Sequence, residues 1–182
     1  MKKIENAPRY TEEQMSRKQF GKNSFFAHVV GLERKPYNDS LIFDVEFKIA
    51  PQNAGVQGED WSFNAGDPKV VGNIDKGSYA GMTTSVAIWL TPAVAQDDAW
   101  KNDRYYKGVQ ALGVTLEKDA TEAIIPAEVE LSDILGMPAV IHFDWVPDKK
   151  DPNKGPWNNC VGFSKWEGGT RVLPQNSGDD LF

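Results

Sequence analysis

One segment of the chain carries residues that could hold a metal ion. In Asp44-Val45-Glu46-Phe47-Lys48, two carboxylates and an amine alternate with apolar residues, so a strand would place all three charged groups on one face. Metal-dependent nucleases use carboxylates to hold Mg²⁺ and a lysine near the nucleophile. The structural alternative is a solvated strand face, where charged residues are common. The pattern gives the hypothesis of a Mg²⁺-dependent nuclease that uses Asp44, Glu46 and Lys48.

Other catalytic patterns are missing from the sequence. Two histidines (His28 and His142) and one cysteine (Cys160) provide no zinc-site spacing and no Ser-His-Asp or Cys-His arrangement. There is also no Gly-rich phosphate loop. We therefore expect a protein that is not an enzyme and that has no cofactor, no metal and no internal disulfide.

Aromatic residues beside basic ones predict a different chemistry. The chain has six Trp, nine Phe and five Tyr, and several lie next to Lys or Arg. Single-stranded nucleic acid is bound by rings that stack on bases, at about 1–3 kcal/mol each, and by cations that follow the phosphates. The predicted DNA-binding residues are Arg34, Lys35, Trp61, Phe63, Lys69, Lys76, Tyr79, Arg104, Tyr105, Tyr106, Lys107, Lys154, Trp157, Lys165 and Trp166.

The aromatic residues divide into expected core and expected surface. Any single ring is more often packed than stacked on a base. The rings expected in the core are Trp89, Phe43, Phe47 and Phe143. Those expected at the surface are Trp157, Tyr105, Tyr106 and Trp61.

The segment Gly178-Asp179-Asp180-Leu181-Phe182 combines acidic and large apolar side chains. Such a segment suits a peptide plug, in which Phe182 fills an apolar pocket while the carboxylates meet Arg or Lys on the rim. Asp179, Asp180, Leu181 and Phe182 are therefore predicted to bind a partner. An ordinary frayed terminus is the alternative.

Alternating and β-branched segments predict the elements that position these residues. Leu41, Phe43, Val45, Phe47 and Ile49 alternate with polar or charged positions over most of one strand. Strands are predicted at 24–32, 41–49, 83–90, 139–146 and 157–165, a helix at 97–112, and a loop at 50–81 that contains one short strand at 61–63.

This order predicts a mainly β fold: a five-stranded OB-fold-like barrel with one main helix between strands 3 and 4, extended loops and flexible termini. The predicted parts are an N-terminal arm (1–23), a nucleic-acid-binding domain (24–168) and a flexible acidic tail (169–182). An immunoglobulin-like sandwich is the alternative fold, but five strands and a helix fit it less well.

Composition limits the classes of protein to consider. The 182 residues include 40% hydrophobic and 25% charged residues, as in a soluble domain, and no apolar run is long enough to cross a bilayer. The net charge is −6, yet residues 1–35 carry eight basic and four acidic side chains. We expect a cytoplasmic protein with no membrane partner, whose acidic end can meet its own basic front.

Together these features resemble bacterial and bacteriophage single-stranded DNA-binding proteins. The resemblance covers about residues 21–166 and rests on the predicted layout, on the phrases ALGV (111–114), ILGMPAVIHFDW (134–145) and NNCVGF (158–163), and on the tip Asp179–Phe182. It implies a phage-encoded, non-catalytic protein of the host cytoplasm that coats single strands during DNA replication or recombination. It also implies that the tip recruits replication or recombination proteins. The linker here is short, so self-blocking of the protein's own groove is an alternative role, and the sequence leaves homo-oligomer formation open.

Overall fold

The computed structural model describes residues 19–63, 67–92 and 94–173, and the protein is mainly β, as predicted. The strands are β1 (Ser24–Tyr37), β2 (Ser40–Ile49), β3 (Gln57–Ser62), β4 (Lys69–Asp75), β5 (Thr83–Leu90), β6 (Pro138–Val146) and β7 (Trp157–Lys165). The helices of this part of the chain are α1 (Asp103–Ala111) and α2 (Leu131–Ile134), with 3₁₀ turns at Pro51–Asn53, Lys76–Tyr79 and Gln96–Asn102. None of these helices is long and apolar enough to cross a membrane.

Five strands form one antiparallel sheet in the order β5-β2-β1-β6-β7. The long central strand β1 pairs with β6 along its first half and with β2 along most of its length. The pairing of β1 with β2 shifts register between Val29 and Gly31, just after the part of β1 that pairs with β6. A bulge of this kind bends the strand and increases its twist, so β1 turns the sheet around its own core.

The core lies on one face of this sheet, where the alternation of β2 predicts it. Phe43, Val45 and Phe47 are buried, whereas Asp44 and Glu46 lie on the opposite face. The predicted core positions Phe43, Phe47 and Phe143 are confirmed. Trp89 is not in the core, because it lies on the outer face of β5 and is 44% exposed.

The predicted closed barrel is not formed. The edge strands β5 and β7 share no ladder within the described residues, and α1 lies between them, with Gly108 close to Ile88 and Phe163. The predicted position of the helix, between strands 3 and 4, is also wrong, because α1 follows β5 and precedes β6. Five strands in one sheet also argue against the two facing sheets of an immunoglobulin-like sandwich.

The segment 50–81 explains why the predicted position of the helix in the strand order is wrong. It was predicted as a loop with a short strand at 61–63, but it contains β3 and β4, which pair as a separate two-stranded sheet. Most residues of β4 are exposed. A strand without a buried face has no apolar alternation, so β4 shows no period-two pattern in the sequence.

Both predicted terminal segments contain residues that pack on the sheet. Phe20 stacks on Phe143, with ring centroids 4.2 Å apart, although it falls in the predicted arm. Val172 donates its N–H to Gly136 O at 2.9 Å, although it falls in the predicted tail. Residues 1–18 and 174–182 lie outside the described part of the chain, and so does the predicted partner-binding tip Asp179–Phe182.

Candidate nucleic-acid interface

Residues 19–23 fasten the β3–β4 hairpin to the main sheet. The buried Asn23 side chain donates to Phe20 O (2.6 Å) and Glu59 O (2.8 Å) and accepts from Glu59 N (3.0 Å). Gln19 forms a β-bridge with Trp61. The amide of a single asparagine therefore joins two segments of backbone and places the end of β3, with Trp61 and Phe63, beside the sheet.

Gly21 gives the Trp61 indole the space to pack. Its φ is +61°, and a Cβ at this position would overlap the Trp61 ring. Asn158 on β7 holds Gly21 from the other side, since its amide accepts from Gly21 N at 3.0 Å and donates to Gly21 O at 2.9 Å. The Trp61 ring thus packs on the backbone of Gly21, which is hydrogen-bonded to Asn158 of β7.

Three aromatic rings meet where the β3–β4 hairpin reaches β6. The Trp145 ring lies 6.2 Å from Trp61 and 5.8 Å from Phe63, centroid to centroid. Trp61 Nε1 donates to Glu59 Oε2 at 3.1 Å, but Trp145 Nε1 is buried with no hydrogen-bond partner among the described residues. Such an unpaired donor costs about 1–3 kcal/mol. The three rings form a half-buried cluster with one unused hydrogen-bonding group.

The loop 147–156 between β6 and β7 lies against this cluster. Gly155 contacts the Phe63 ring so closely that a side chain there would overlap it. Asp148 orders the loop by accepting from the backbone N–H groups of Lys150 (2.8 Å) and Asp151 (3.1 Å). The loop is therefore held by its own carboxylates and by Phe63, which keeps its lysines near the rings.

The lysines in this region form no ion pairs with the described residues. We name the region the hairpin end: residues 19–23, 57–63 and 69–76, Trp145, and the loop 147–156. Its lysines are Lys22, Lys69, Lys76, Lys149, Lys150 and Lys154. Neighbouring carboxylates are engaged elsewhere: Asp75 accepts from Gly55 N and Gly77 N, and Glu59 accepts from Trp61. Most of these ammonium groups are therefore open to an external anion.

Lys76 differs from the other lysines of the hairpin end. Its Nζ lies 5.8 Å from the centroid of the Phe25 ring. Burial lowers the pKa of Lys76 below its usual value. It is therefore the lysine of this group least suited to hold a phosphate.

The basic residues at the opposite end of the sheet all have partners. We name this region the helix end: the last residues of β1, the segment 96–135 with α1, and the residues that follow from 165. The pairs are Arg34–Glu128 (2.9 Å), Lys35–Asp44 (2.9 Å), Lys101–Asp98 (3.4 Å), Lys107–Asp103 (3.8 Å), Lys118–Glu122 (3.2 Å) and Lys165–Glu167 (3.4 Å). Arg104 donates to Val161 O at 3.0 Å, and Arg171 donates to Leu135 O at 2.9 Å.

A groove of about 480 Å³ lies at the helix end between α1, β5 and β7. Its lining includes Val86, Ile88 and Phe163, with Arg104, Lys107 and Lys165 at its edge. Three of the predicted DNA-binding residues, Arg104, Lys107 and Lys165, thus come together in this groove and not at the hairpin end. Their cations are already bonded within the protein, which distinguishes this groove from the hairpin end.

Two predicted DNA-binding tyrosines are buried. Tyr105 is fully buried in the core, where its hydroxyl donates to Ala127 O (3.2 Å) and accepts from Val129 N (2.7 Å); burial raises the Tyr105 pKa to about 12. Tyr79 is 5% exposed and packs on Phe20 and Phe25. The expectation that Tyr105 lies at the surface is therefore wrong, and neither ring can stack on a base in this conformation.

The remaining predicted rings have mixed positions. Trp157 is 49% exposed, as expected, whereas Tyr106 and Trp61 are half-buried. Trp166 stacks on Phe26, with centroids 4.5 Å apart, on the outer face of the sheet. Of the predicted rings, Trp61 and Phe63 are the pair that the fold brings together beside lysines without an ion pair to the described residues.

Several residues of the hairpin end were missed as site residues. Trp145 was assigned only to the predicted strand 139–146, and Lys149 and Lys150 lie between two predicted strands. A signal was present, because two adjacent lysines between two strong strands predict a basic loop at a sheet end. The role of Gly21 and Asn158 depends on contacts 137 residues apart, which no local pattern reveals.

The nuclease pattern is present on one strand face but is partly occupied. Asp44 forms an ion pair with Lys35 at 2.9 Å, and this pair, with Glu33, raises the pKa of Lys35. No group of three or more His, Cys, Asp or Glu residues within the described residues could hold a metal ion. The geometry therefore gives the Mg²⁺ hypothesis no support.

Comparisons with known proteins give no family. No protein-family model matches the chain. No curated protein is similar enough in sequence to match it.

Proposed function

We propose that this protein binds single-stranded DNA without catalysing a reaction, and that it coats exposed strands during DNA replication or recombination. The observation that carries the proposal is the hairpin end, where the Trp61, Phe63 and Trp145 rings lie beside lysines that form no ion pair with any described residue. Rings that accept any base and cations that follow phosphates are the two requirements for binding without sequence preference.

The sheet supports a finer proposal about the fold. The strand order β5-β2-β1-β6-β7, with a bent first strand shared by both halves, suits a partly open barrel of the OB type. In this proposal α1 lies in the opening between β5 and β7. OB folds commonly bind oligonucleotides with loops at the ends of their strands, and the loop 147–156 occupies such a position.

The biological setting is proposed from the sequence resemblance. A bacteriophage origin, action in the host cytoplasm and recruitment of replication or recombination proteins through Asp179–Phe182 all remain proposals, and the tip lies outside the described residues. The Mg²⁺-dependent nuclease that would use Asp44, Glu46 and Lys48 is not favoured, because Lys35 neutralises Asp44.

A titration with labelled oligo-dT tests the proposal. We expect tight binding that weakens as salt rises, because counterions return to the DNA, and quenching of Trp fluorescence by stacked bases. Duplex DNA of the same length should bind more weakly. Equal affinity for duplex and single strands, or no binding at low salt, would remove the proposal.

The same titration on a chain that ends at Ser177 tests the tip. If Asp179–Phe182 compete with DNA for the basic surface, the shortened chain should bind oligo-dT more tightly. If the tip serves partners alone, the two affinities should agree.

A further inference from the structure

The indole Nε1 of Trp145 is a buried donor without a hydrogen-bond partner among the described residues. Buried polar atoms in native proteins are nearly always paired, and each exception calls for an explanation. The comparable atom of Trp61 has its partner in Glu59, 3.1 Å away. The Trp145 N–H is therefore a donor for which the described residues supply no acceptor.

The polar side chain across the strand pair is already engaged. Trp145 on β6 lies opposite Asn158 on β7. The Asn158 oxygen accepts from Gly21 N, and its NH₂ group donates to Gly21 O and to Asp144 O. A rotation of Asn158 toward the indole would break the contacts that seat the β3–β4 hairpin.

The surroundings of this donor indicate the kind of acceptor. The rings of Trp61 and Phe63 lie at 6.2 and 5.8 Å from Trp145. The loop that touches Phe63 carries Lys149, Lys150 and Lys154, which pair with no carboxylate in the described part of the chain. A ligand that suits flat rings, one edge donor and nearby cations has a flat face, an edge acceptor and an adjoining negative charge. An unpaired nucleotide has all three.

We propose that Trp145 reads a base: its indole N–H donates to a carbonyl oxygen of an unpaired base that stacks on Trp61 or Phe63. This inference rests on the proposed function. Thymine, cytosine and guanine carry such oxygens, whereas adenine offers ring nitrogens. Because the nitrogen is buried in the free protein, the groups that cover it must shift when the base enters.

The variant Trp145→Phe tests this role, because it keeps an aromatic ring and removes the N–H. Binding is measured by anisotropy with oligo-dT and with an abasic oligonucleotide of equal length. We expect the affinity for oligo-dT to fall about fivefold, as for one lost hydrogen bond, and the affinity for the abasic strand to stay the same. The thermal midpoint should not fall, since the variant removes an unpaired donor.

Two results would overturn the assignment. If Trp145→Phe binds oligo-dT as the wild type does, the N–H meets only buried water. If both affinities fall equally, the ring has a structural role. Trp89→Phe, which changes an exposed indole on β5, is the control and should alter neither affinity.

The indole ¹H–¹⁵N resonance of Trp145 provides a second measurement that needs no stable variant. In the wild-type protein it should move downfield with oligo-dT and remain in place with the abasic strand; an unmoved resonance contradicts the proposal. If the wild-type protein binds no oligo-dT at all, the proposed function fails as well. Normal binding without any effect at Trp145 defeats this inference alone.

Discussion

The hairpin end and the helix end carry basic residues in similar number but in different electrostatic states. Arg34, Lys107 and Lys165 at the helix end each face a carboxylate within 4 Å. Lys149, Lys150 and Lys154 at the hairpin end face none among the described residues. There the carboxylates bind backbone N–H groups, as Asp148 does. Net charge alone therefore does not locate an anion-binding surface.

The aromatic residues repeat this difference. At the helix end, Tyr105 is buried in the core, and its hydroxyl forms two hydrogen bonds with the backbone. At the hairpin end, Trp61, Phe63 and Trp145 are half-buried, with one donor unused. Rings and charges that remain available occur together at one end, and the following predictions test whether that end is the binding surface.

Removal of the loop lysines should have the largest effect. In Lys149→Ala/Lys150→Ala/Lys154→Ala, three phosphate contacts are lost, so the affinity for oligo-dT should fall roughly 10- to 100-fold at low salt. The slope of log K against log[salt] should become shallower by about 2, at about 0.7 per contact on a single strand. Anisotropy titrations over a salt series measure both quantities.

The matched control removes three paired lysines at the helix end, in Lys107→Ala/Lys118→Ala/Lys165→Ala. Their ammonium groups are already neutralised by Asp103, Glu122 and Glu167. Affinity should change by less than about threefold, since exposed ion pairs contribute little. An equal loss in both triple variants would show that the two ends do not differ in function.

A smaller effect is expected from Gly21→Ala. The substitution places a side chain at φ +61° and against the Trp61 ring. We expect a loss of about 1–3 kcal/mol in the free energy of unfolding and several-fold weaker binding of oligo-dT, because the ring must leave its seat. Urea unfolding and the same titration measure the two changes.

Gly168→Ala separates backbone strain from displacement of the ring. Gly168 has a similar φ of +80°, but a Cβ there would meet no atom within 4 Å. It should lose stability through strain alone and keep its affinity for DNA. If the two variants lose affinity equally, the packing of the Trp61 ring against Gly21 is not required for binding.

Much of the sheet could be predicted because its strands have one buried face. Alternation in β2 located Phe43 and Phe47 correctly, and β5 and β7 have the predicted bounds. The helix was harder. A 3₁₀ turn at Gln96–Asn102 precedes α1 and shifts its phase, so Tyr105 and Val109 face the core, whereas Arg104 is exposed.

The site was predicted only in part, because its defining property is not local. Which basic residue is paired depends on residues such as Glu128, which lies 94 positions from its partner Arg34. Trp166 follows a lysine, as a base-stacking ring often does, yet it packs on Phe26. Sequence indicates the supply of rings and cations, whereas tertiary contacts determine which of them remain available.

The smallest expected effect is a dependence of stability on pH that involves neither lysine group. Burial lowers the pKa values of His28 and His142; the Thr170 O contact opposes the shift at His28. A histidine whose pKa is lower in the folded state binds more protons when unfolded. Stability should therefore fall as pH drops below the unfolded value, about 6.5.

Urea unfolding at about pH 7.5 and about pH 5.5 measures this loss, to which His142 should contribute only a fraction of the value for full burial, because its ring is partly solvated. His142→Gln, which removes the ring that Ser24 and Ser164 contact at 2.7 and 2.8 Å, should reduce the pH dependence. Neither histidine belongs to the hairpin end, so the oligo-dT affinity of this variant should follow that of the wild type across the same range. A pH-dependent affinity that disappears in His142→Gln would extend the binding surface onto the outer face of β6.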